Sequence, residues 1–212
     1  DYIQYKEQNS AMRKAKKIIK DFNGDTHKTV LFLSYKAENW NTMDNIYKKY
    51  CQEKDIKVIV QCVPYYYKNI DGTFEKYIDG GMYPEYVTIT PIEDYNYVNE
   101  NPDVIVFQYP YDNYNSAGTT DPVFYSYNLA SHTQKLIYIP YFRTDEIDEN
   151  DMRAYTNMDA YVTMPGVVYA DKVIVQSEEI RKLYIKKLTD FFGEESEDEW
   201  EDKIEAEDIG GI

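Results

Sequence analysis

Six short runs of apolar, β-branched and aromatic residues punctuate the chain, at 29–34, 56–63, 86–90, 104–108, 136–139 and 172–176. Continuous apolar runs of this length fit strands buried on both faces of a parallel sheet. Between them the apolar period changes to that of a helix. Met43, Ile46, Tyr47 and Tyr50 mark a helix ending near Glu53, with Asn39 or Asn41 as its cap. Asp121-Pro122 supplies a capping acid and a first-turn proline for a helix running to about Ser131. Residues 91–99 read as a short helix or an irregular crossover. Asp159 to Ala170 is helical, broken at Pro165-Gly166. Ser177, with Glu178 and Glu179 behind it, caps a helix through about Phe192. Strands alternating with helices predict an α/β fold: a parallel sheet of about six strands with helices on both faces, in the working order 3-2-1-4-5-6.

The same pattern divides the chain into 1–27, 28–192 and 193–212. In the first part Met12, Ala15, Ile18, Ile19 and Phe22 recur at helical spacing among lysines, and Asn23-Gly24 is a stop signal. Such a helix can lie on an anionic membrane face. The shortness of the stripe favours packing against the domain instead. Within the second part, the long tyrosine-rich connection from Tyr65 to Tyr86 reads as a functional excursion or an added hairpin. The third part is an acidic tail or the start of an interdomain linker. Residues 194–212 hold ten acids and only Lys203. Like-charge repulsion predicts a mobile segment, or a helix held by something basic, with Trp200, Ile204 and Ile209 as a weak docking stripe.

Composition adds two facts. There are 24 tyrosines, which suit hydrogen-bonded stacking on sugars or polyols, or reflect the codon bias of an AT-rich genome. The net charge is −15 among 212 residues, which speaks against a duplex nucleic-acid partner. Cys51 and Cys62 fit no metal or redox spacing and read as free thiols of a reducing cytoplasm. No apolar run approaches the length of a membrane span and no signal peptide stands at the start. A chain that begins at Asp1 reads as a piece of something longer.

No glycine-rich dinucleotide loop follows the first strand, and no phosphate-loop, zinc or nucleophile-elbow signature is present. His27 and His132 precede strands, at the edge away from the expected cleft. In open α/β sheets ligands bind beyond the carboxyl ends of the strands. Pro140 ends the fifth strand, so Tyr141, Phe142 and Arg143 emerge there. The candidate site therefore comprises Lys36 and Trp40, Tyr65, then Gln108, Tyr111, Asp112 and Asn113, and finally Tyr141 and Arg143. Arg143 and Lys36 suit phosphate oxygens, Trp40, Tyr111 and Tyr141 suit stacking, and Asn113 and Gln108 suit hydroxyls. Asp112 is the carboxylate best placed for a general base.

Seven segments stand in a familiar order: Thr29-Val-Leu-Phe-Leu-Ser, Trp40-Asn-Thr-Met-Asp-Asn-Ile-Tyr, Val63-Pro-Tyr-Tyr, Pro102-Asp-Val-Ile, Gln108-Tyr-Pro-Tyr-Asp, Tyr138-Ile-Pro-Tyr-Phe and Ala170-Asp-Lys-Val-Ile-Val-Gln-Ser-Glu. As a series over roughly 28–190 they resemble the amino-terminal half of the CDP-glycerol glycerophosphotransferases of teichoic-acid synthesis. That resemblance implies a Rossmann-like, acceptor-side half of a GT-B architecture. It also implies a cytoplasmic enzyme, peripheral at the inner membrane face, that receives a small-molecule or polymer acceptor. A CDP-linked or other nucleotide-linked donor would sit on a carboxyl-terminal half outside these residues. The family's Trp-His-Gly motif is replaced here by Pro140-Tyr141-Phe142, so the base that its histidine provides is absent at that place. Three expectations follow: the acceptor domain of a transferase, a non-catalytic polyol- or carbohydrate-binding domain on the same fold, or an interaction domain working through its acidic tail.

Overall fold

The structure, a computed structural model, describes residues 2–22, 24, 27–145, 147–148 and 150–210. In chain order the elements are α1 (Tyr2–Phe22), β1 (Lys28–Ser34), α2 (Asn41–Gln52), β2 (Ile56–Cys62), β3 (Tyr65–Lys68), β4 (Phe74–Tyr77), α3 (Tyr97–Glu100) and β5 (Val104–Phe107). They continue with β6 (Gly118–Thr120), α4 (Ser126–Ser131), β7 (Lys135–Tyr138), α5 (Met152–Asn157), α6 (Asp159–Val162) and α7 (Pro165–Tyr169). β8 (Lys172–Val175), α8 (Glu178–Phe192), α9 (Glu197–Lys203) and β9 (Ile204–Ala206) complete the chain. Six strands form one parallel sheet in the order β2-β1-β5-β7-β8-β9. β4, β3 and β6 form a separate antiparallel sheet, so the tyrosine-rich connection is an added hairpin.

The alternation of the strands sorts the core into two layers. Leu31, Leu33, Ile105, Phe107, Leu136, Tyr138, Val173 and Val175 point to one face, against Leu129, Val167, Leu183 and Trp200 of α4, α7, α8 and α9. Val30, Phe32, Val106, Ile137 and Ile174 point to the other, against Met43, Ile46 and Tyr47 of α2. Gly166 lets α7 dock: a Cβ there would lie 2.5 Å from the Pro110 Cα, and its N–H donates to the Pro110 carbonyl at 2.8 Å.

Several sequence expectations are corrected. The run 86–90 contributes only a bridge, Ile89 beside Val60, with the Thr90 N–H on the Val60 carbonyl at 2.7 Å. Pro91 follows at once and has no N–H to extend the ladder. The sixth strand is β9 instead, at the opposite edge, inside the acidic stretch. Trp200, Ile204 and Ile209 are 1%, 0% and 1% exposed, so the acidic stretch is part of the core as far as Ile209. Its acids point outward and meet cations, as in Lys49–Glu207 and Lys172–Glu205. Arg181 binds the Ile204 and Glu201 carbonyls at 2.6 and 2.9 Å. Neither Asn39 nor Asn41 caps α2; its N-cap is Trp40, which makes no capping bond through its side chain. The segment after Asp121 is a 3₁₀ turn at Pro122–Phe124 before α4 begins.

α1 is also reversed from expectation. It is held by its polar face: Arg13 to Asp171 at 2.7 Å and to the Ala130 carbonyl, Lys16 to the Ser131 carbonyl at 2.9 Å, Lys20 to Asp103 at 2.6 Å. The stripe that should have packed is open, with Ile18, Ile19 and Phe22 at 67%, 60% and 89% exposure. No described helix is long and apolar enough to cross a membrane.

Candidate functional site

Three neighbouring strands of the parallel sheet, β1, β5 and β7, each deliver a tyrosine just beyond the carboxyl end. Tyr35 follows β1, Tyr109 and Tyr111 follow β5, and Tyr141 follows β7. The hairpin adds Tyr65 and Tyr67, which the two-residue period of β3 places on one face. Tyr35 is the hub: its ring centre lies 5.2, 5.1 and 5.0 Å from those of Tyr65, Tyr109 and Tyr141. From there the contacts run on to Tyr67 at 5.3 Å, to Tyr111 at 5.2 Å and to Phe142 at 5.0 Å. Most pairs are tilted or edge-on, the favoured geometry for aromatic quadrupoles. The Tyr111 and Tyr141 hydroxyls approach to 3.5 Å.

One cation enters this band. The Lys36 ammonium lies 5.3 Å from the ring centres of both Tyr35 and Tyr65 and 3.4 Å from the Tyr67 hydroxyl. Burial opposes its charge, but the bond to the Tyr67 hydroxyl and the Glu38 carboxylate 3.7 Å away outweigh that and raise its pKa. Burial pushes the phenols of Tyr35, Tyr109 and Tyr111 up, so all three are neutral donors and acceptors at physiological pH. Tyr65 and Tyr109 are buried within the band, with the Tyr109 hydroxyl on the Gly118 carbonyl at 3.1 Å, so what the edge offers is the part-exposed rings and neutral hydroxyls of Tyr35, Tyr67, Tyr111 and Tyr141 and the Lys36 ammonium. That is a set suited to hydroxyl-rich, anionic ligands.

The other residues expected at this edge are placed differently. Trp40 is 2% exposed, packed on Phe32 and Tyr47, with its indole N–H on Asp44 at 3.1 Å. It is a core residue and presents no stacking face. Gln108 is fully buried; its Oε1 accepts the Tyr35 N–H at 3.0 Å, and its amide donates to the Asn39 carbonyl and Thr42 hydroxyl, both at 2.9 Å. It braces the edge and has no group left for a ligand hydroxyl. Arg143 donates to the Gly210 carbonyl at 3.0 Å, so its guanidinium is turned to the acidic stretch. Asn113 is exposed beside the band.

Asp112 lies beneath the edge, 3% exposed, with Ser126 on both its oxygens. Burial raises its pKa to about 6, against the lowering effect of the Ser126 bonds. Its backbone takes φ +48°, a left-handed conformation that Asp tolerates better than most residues. This carboxylate anchors the start of α4. Neither histidine is at this edge: His27 and His132 line a cavity at the amino ends of the strands. Tyr67 and Tyr109 belong to the band and were not singled out from the sequence. The two-residue spacing of Tyr65–Tyr67 and of Tyr109–Tyr111 is the signal that would have found them.

No family model matches the chain, and neither a curated protein nor a solved structure matches it.

Proposed function

We propose that this domain binds a polyol or carbohydrate carrying phosphate, over the carboxyl ends of β1, β5 and β7. The observation that carries the reading is the meeting of three tyrosines on Tyr35 with Lys36 beside them. Rings stack on the apolar faces of sugars, phenol hydroxyls exchange hydrogen bonds with ligand hydroxyls, and Lys36 meets the phosphate. The site is a binding site first. A transfer reaction needs a base within reach of the acceptor hydroxyl; Asp112, the base expected from the sequence, is enclosed by Ser126, and Glu38 is paired with the Lys36 ammonium at 3.7 Å. An acceptor-side role in a nucleotide-dependent transferase, as the sequence resemblance implies, would draw its donor and its base from outside these residues.

Calorimetry with a glycerol-phosphate oligomer tests this. Binding is expected, weakened by roughly 1.5–3 kcal/mol in Lys36→Ala, the scale of a charge-assisted hydrogen bond. Tyr141→Ala weakens it as well, and Arg143→Ala leaves it unchanged. No binding, or binding indifferent to both Lys36 and Tyr141, overturns the proposal.

A further inference from the structure

A cavity of about 1000 Å³ opens at the amino edge of the sheet, opposite the tyrosines, between α1 and the first residues of the strands. Lys28, Lys57 and Lys135 reach it from the starts of β1, β2 and β7. The register sets these strands side by side around β5, with Thr29 level with Lys57 and Val104 level with both Val30 and Lys135. Lys16, Lys17 and Lys20 line it from α1. Three acids stand among the six lysines, Asp21, Glu100 and Asp103. Asp103 is already engaged: its Oδ2 takes the Lys20 ammonium at 2.6 Å and the Thr29 N–H at 2.8 Å. In a chain of net charge −15 such a gathering of lysines is not a consequence of composition.

The state of Lys16 is the second observation. Its ammonium is half-buried and bonds only neutral acceptors, the Asn101 side-chain oxygen at 2.5 Å and the Ser131 carbonyl at 2.9 Å. Burial lowers its pKa, and no carboxylate offsets it. A partly desolvated cation facing a cavity is stabilised by an anion entering that cavity. Lys17, Lys28, Lys57 and Lys135 make no ion pair among the described residues. The main-chain N–H groups nearby are occupied, that of Lys28 by the Asp55 carbonyl and that of Lys135 by the Asp103 carbonyl. The charged donors this edge leaves for a ligand are the ammonium groups of Lys17, Lys28, Lys57 and Lys135.

We propose that this cavity binds a ligand carrying several clustered phosphate groups. Ammonium groups are compact charges that match phosphate oxygens from any direction, and the spread of lysines over four elements fits more than one phosphate. The ligand has two sources of the same chemistry. One is a soluble polyphosphate. The other is the headgroup of an anionic lipid, for which Ile19 on the cavity wall and the exposed Ile18 and Phe22 of α1 would meet the acyl region.

The test uses the full chain with two probes. One is tripolyphosphate in a calorimeter; the other is co-sedimentation with vesicles of phosphatidylcholine, with or without phosphatidic acid. Two double variants at exposed positions accompany them, Lys28→Gln with Lys57→Gln, and Ile18→Ser with Phe22→Ser. Tripolyphosphate binding that weakens about tenfold or more in the lysine variant, and is unchanged in the Ile18/Phe22 variant, supports the soluble source. Vesicle binding that requires phosphatidic acid and is lost in both variants supports the lipid source. Wild-type chain that binds neither probe, or a lysine variant that binds as the wild type does, overturns the proposal. Tyr141→Ala serves as the control and leaves both signals intact, which separates this site from the carboxyl edge.

Discussion

Asp112 accepts the Ser126 main-chain N–H on one carboxylate oxygen at 2.9 Å and the Ser126 hydroxyl on the other at 2.7 Å. The pair joins the loop after β5 to the first turn of α4, and both partners are buried.

The burial of Asp112 makes the fold sensitive to pH. Its pKa rises from 3.8 to about 6 in the folded state. Between these values the folded chain holds a proton that the unfolded chain has released. Its contribution to stability is therefore present below about pH 4 and declines as pH rises through 6, by about 2–3 kcal/mol in all. Asp112→Asn keeps a group that can accept the Ser126 N–H, tolerates the left-handed backbone and carries no charge. Urea unfolding should find it at least as stable as wild type at pH 7.5, with the decline between pH 4 and 6 flattened. Asp112→Ala loses the anchor and should cost about 1–3 kcal/mol. A loss above 1 kcal/mol in Asp112→Asn at pH 7.5 would show that the charge itself holds Ser126.

Trp200 fastens the acidic stretch. It packs on Phe192 at 5.2 Å, donates to the Ser196 hydroxyl at 2.9 Å and is 1% exposed. β9 follows directly and pairs with β8 over three residues. Trp200→Ala should cost about 3–5 kcal/mol, as for other buried tryptophans. Calorimetric melting should then fall by roughly 10 °C. A shift of a degree or two would mean that the acidic stretch unfolds separately from the domain.

The sequence showed the parallel sheet because five of its strands are apolar on both faces. It hid β9, a three-residue strand, Ile204-Glu205-Ala206, set in an acidic stretch with only Ile204 fully buried. The acidic stretch looked unable to collapse because charge was counted along the chain. In the fold those charges leave on the outer side, where Glu207 meets Lys49, Glu205 meets Lys172 and Glu199 meets Lys6, while Trp200, Ile204 and Ile209 turn inward. At the candidate site, loop tyrosines could be placed because topology alone brings loop residues to one edge. Gln108 and Trp40 could not be placed by topology. Gln108 continues the face of Val106, toward α2, so its amide is spent on Asn39 and Thr42. In α1 the polar residues found acceptors on the domain, a preference that a hydrophobic period does not encode.

Lys203 supplies a second pH effect, of opposite sign. It is 7% exposed, donates to the Val168 carbonyl at 2.8 Å, and lies 3.7 Å from Glu199 and 4.6 Å from the centre of the Trp200 ring. Burial lowers its pKa from 10.5 to about 8, although Glu199 pulls the other way. Between these values the unfolded chain keeps a proton that the folded chain has lost, so this group adds stability as pH rises from 8 towards 10. Above about 10 the buried phenols act against it, because the fold keeps them protonated while the unfolded chain ionises them. Lys203→Met fills the same space without a charge and should be more stable than wild type at pH 7, by about 1–3 kcal/mol. The gain should shrink at pH 9.5. Urea unfolding at the two pH values measures both. A variant less stable than wild type at pH 7 would show that the bonds of the ammonium to Val168 and Glu199 outweigh the cost of burying it.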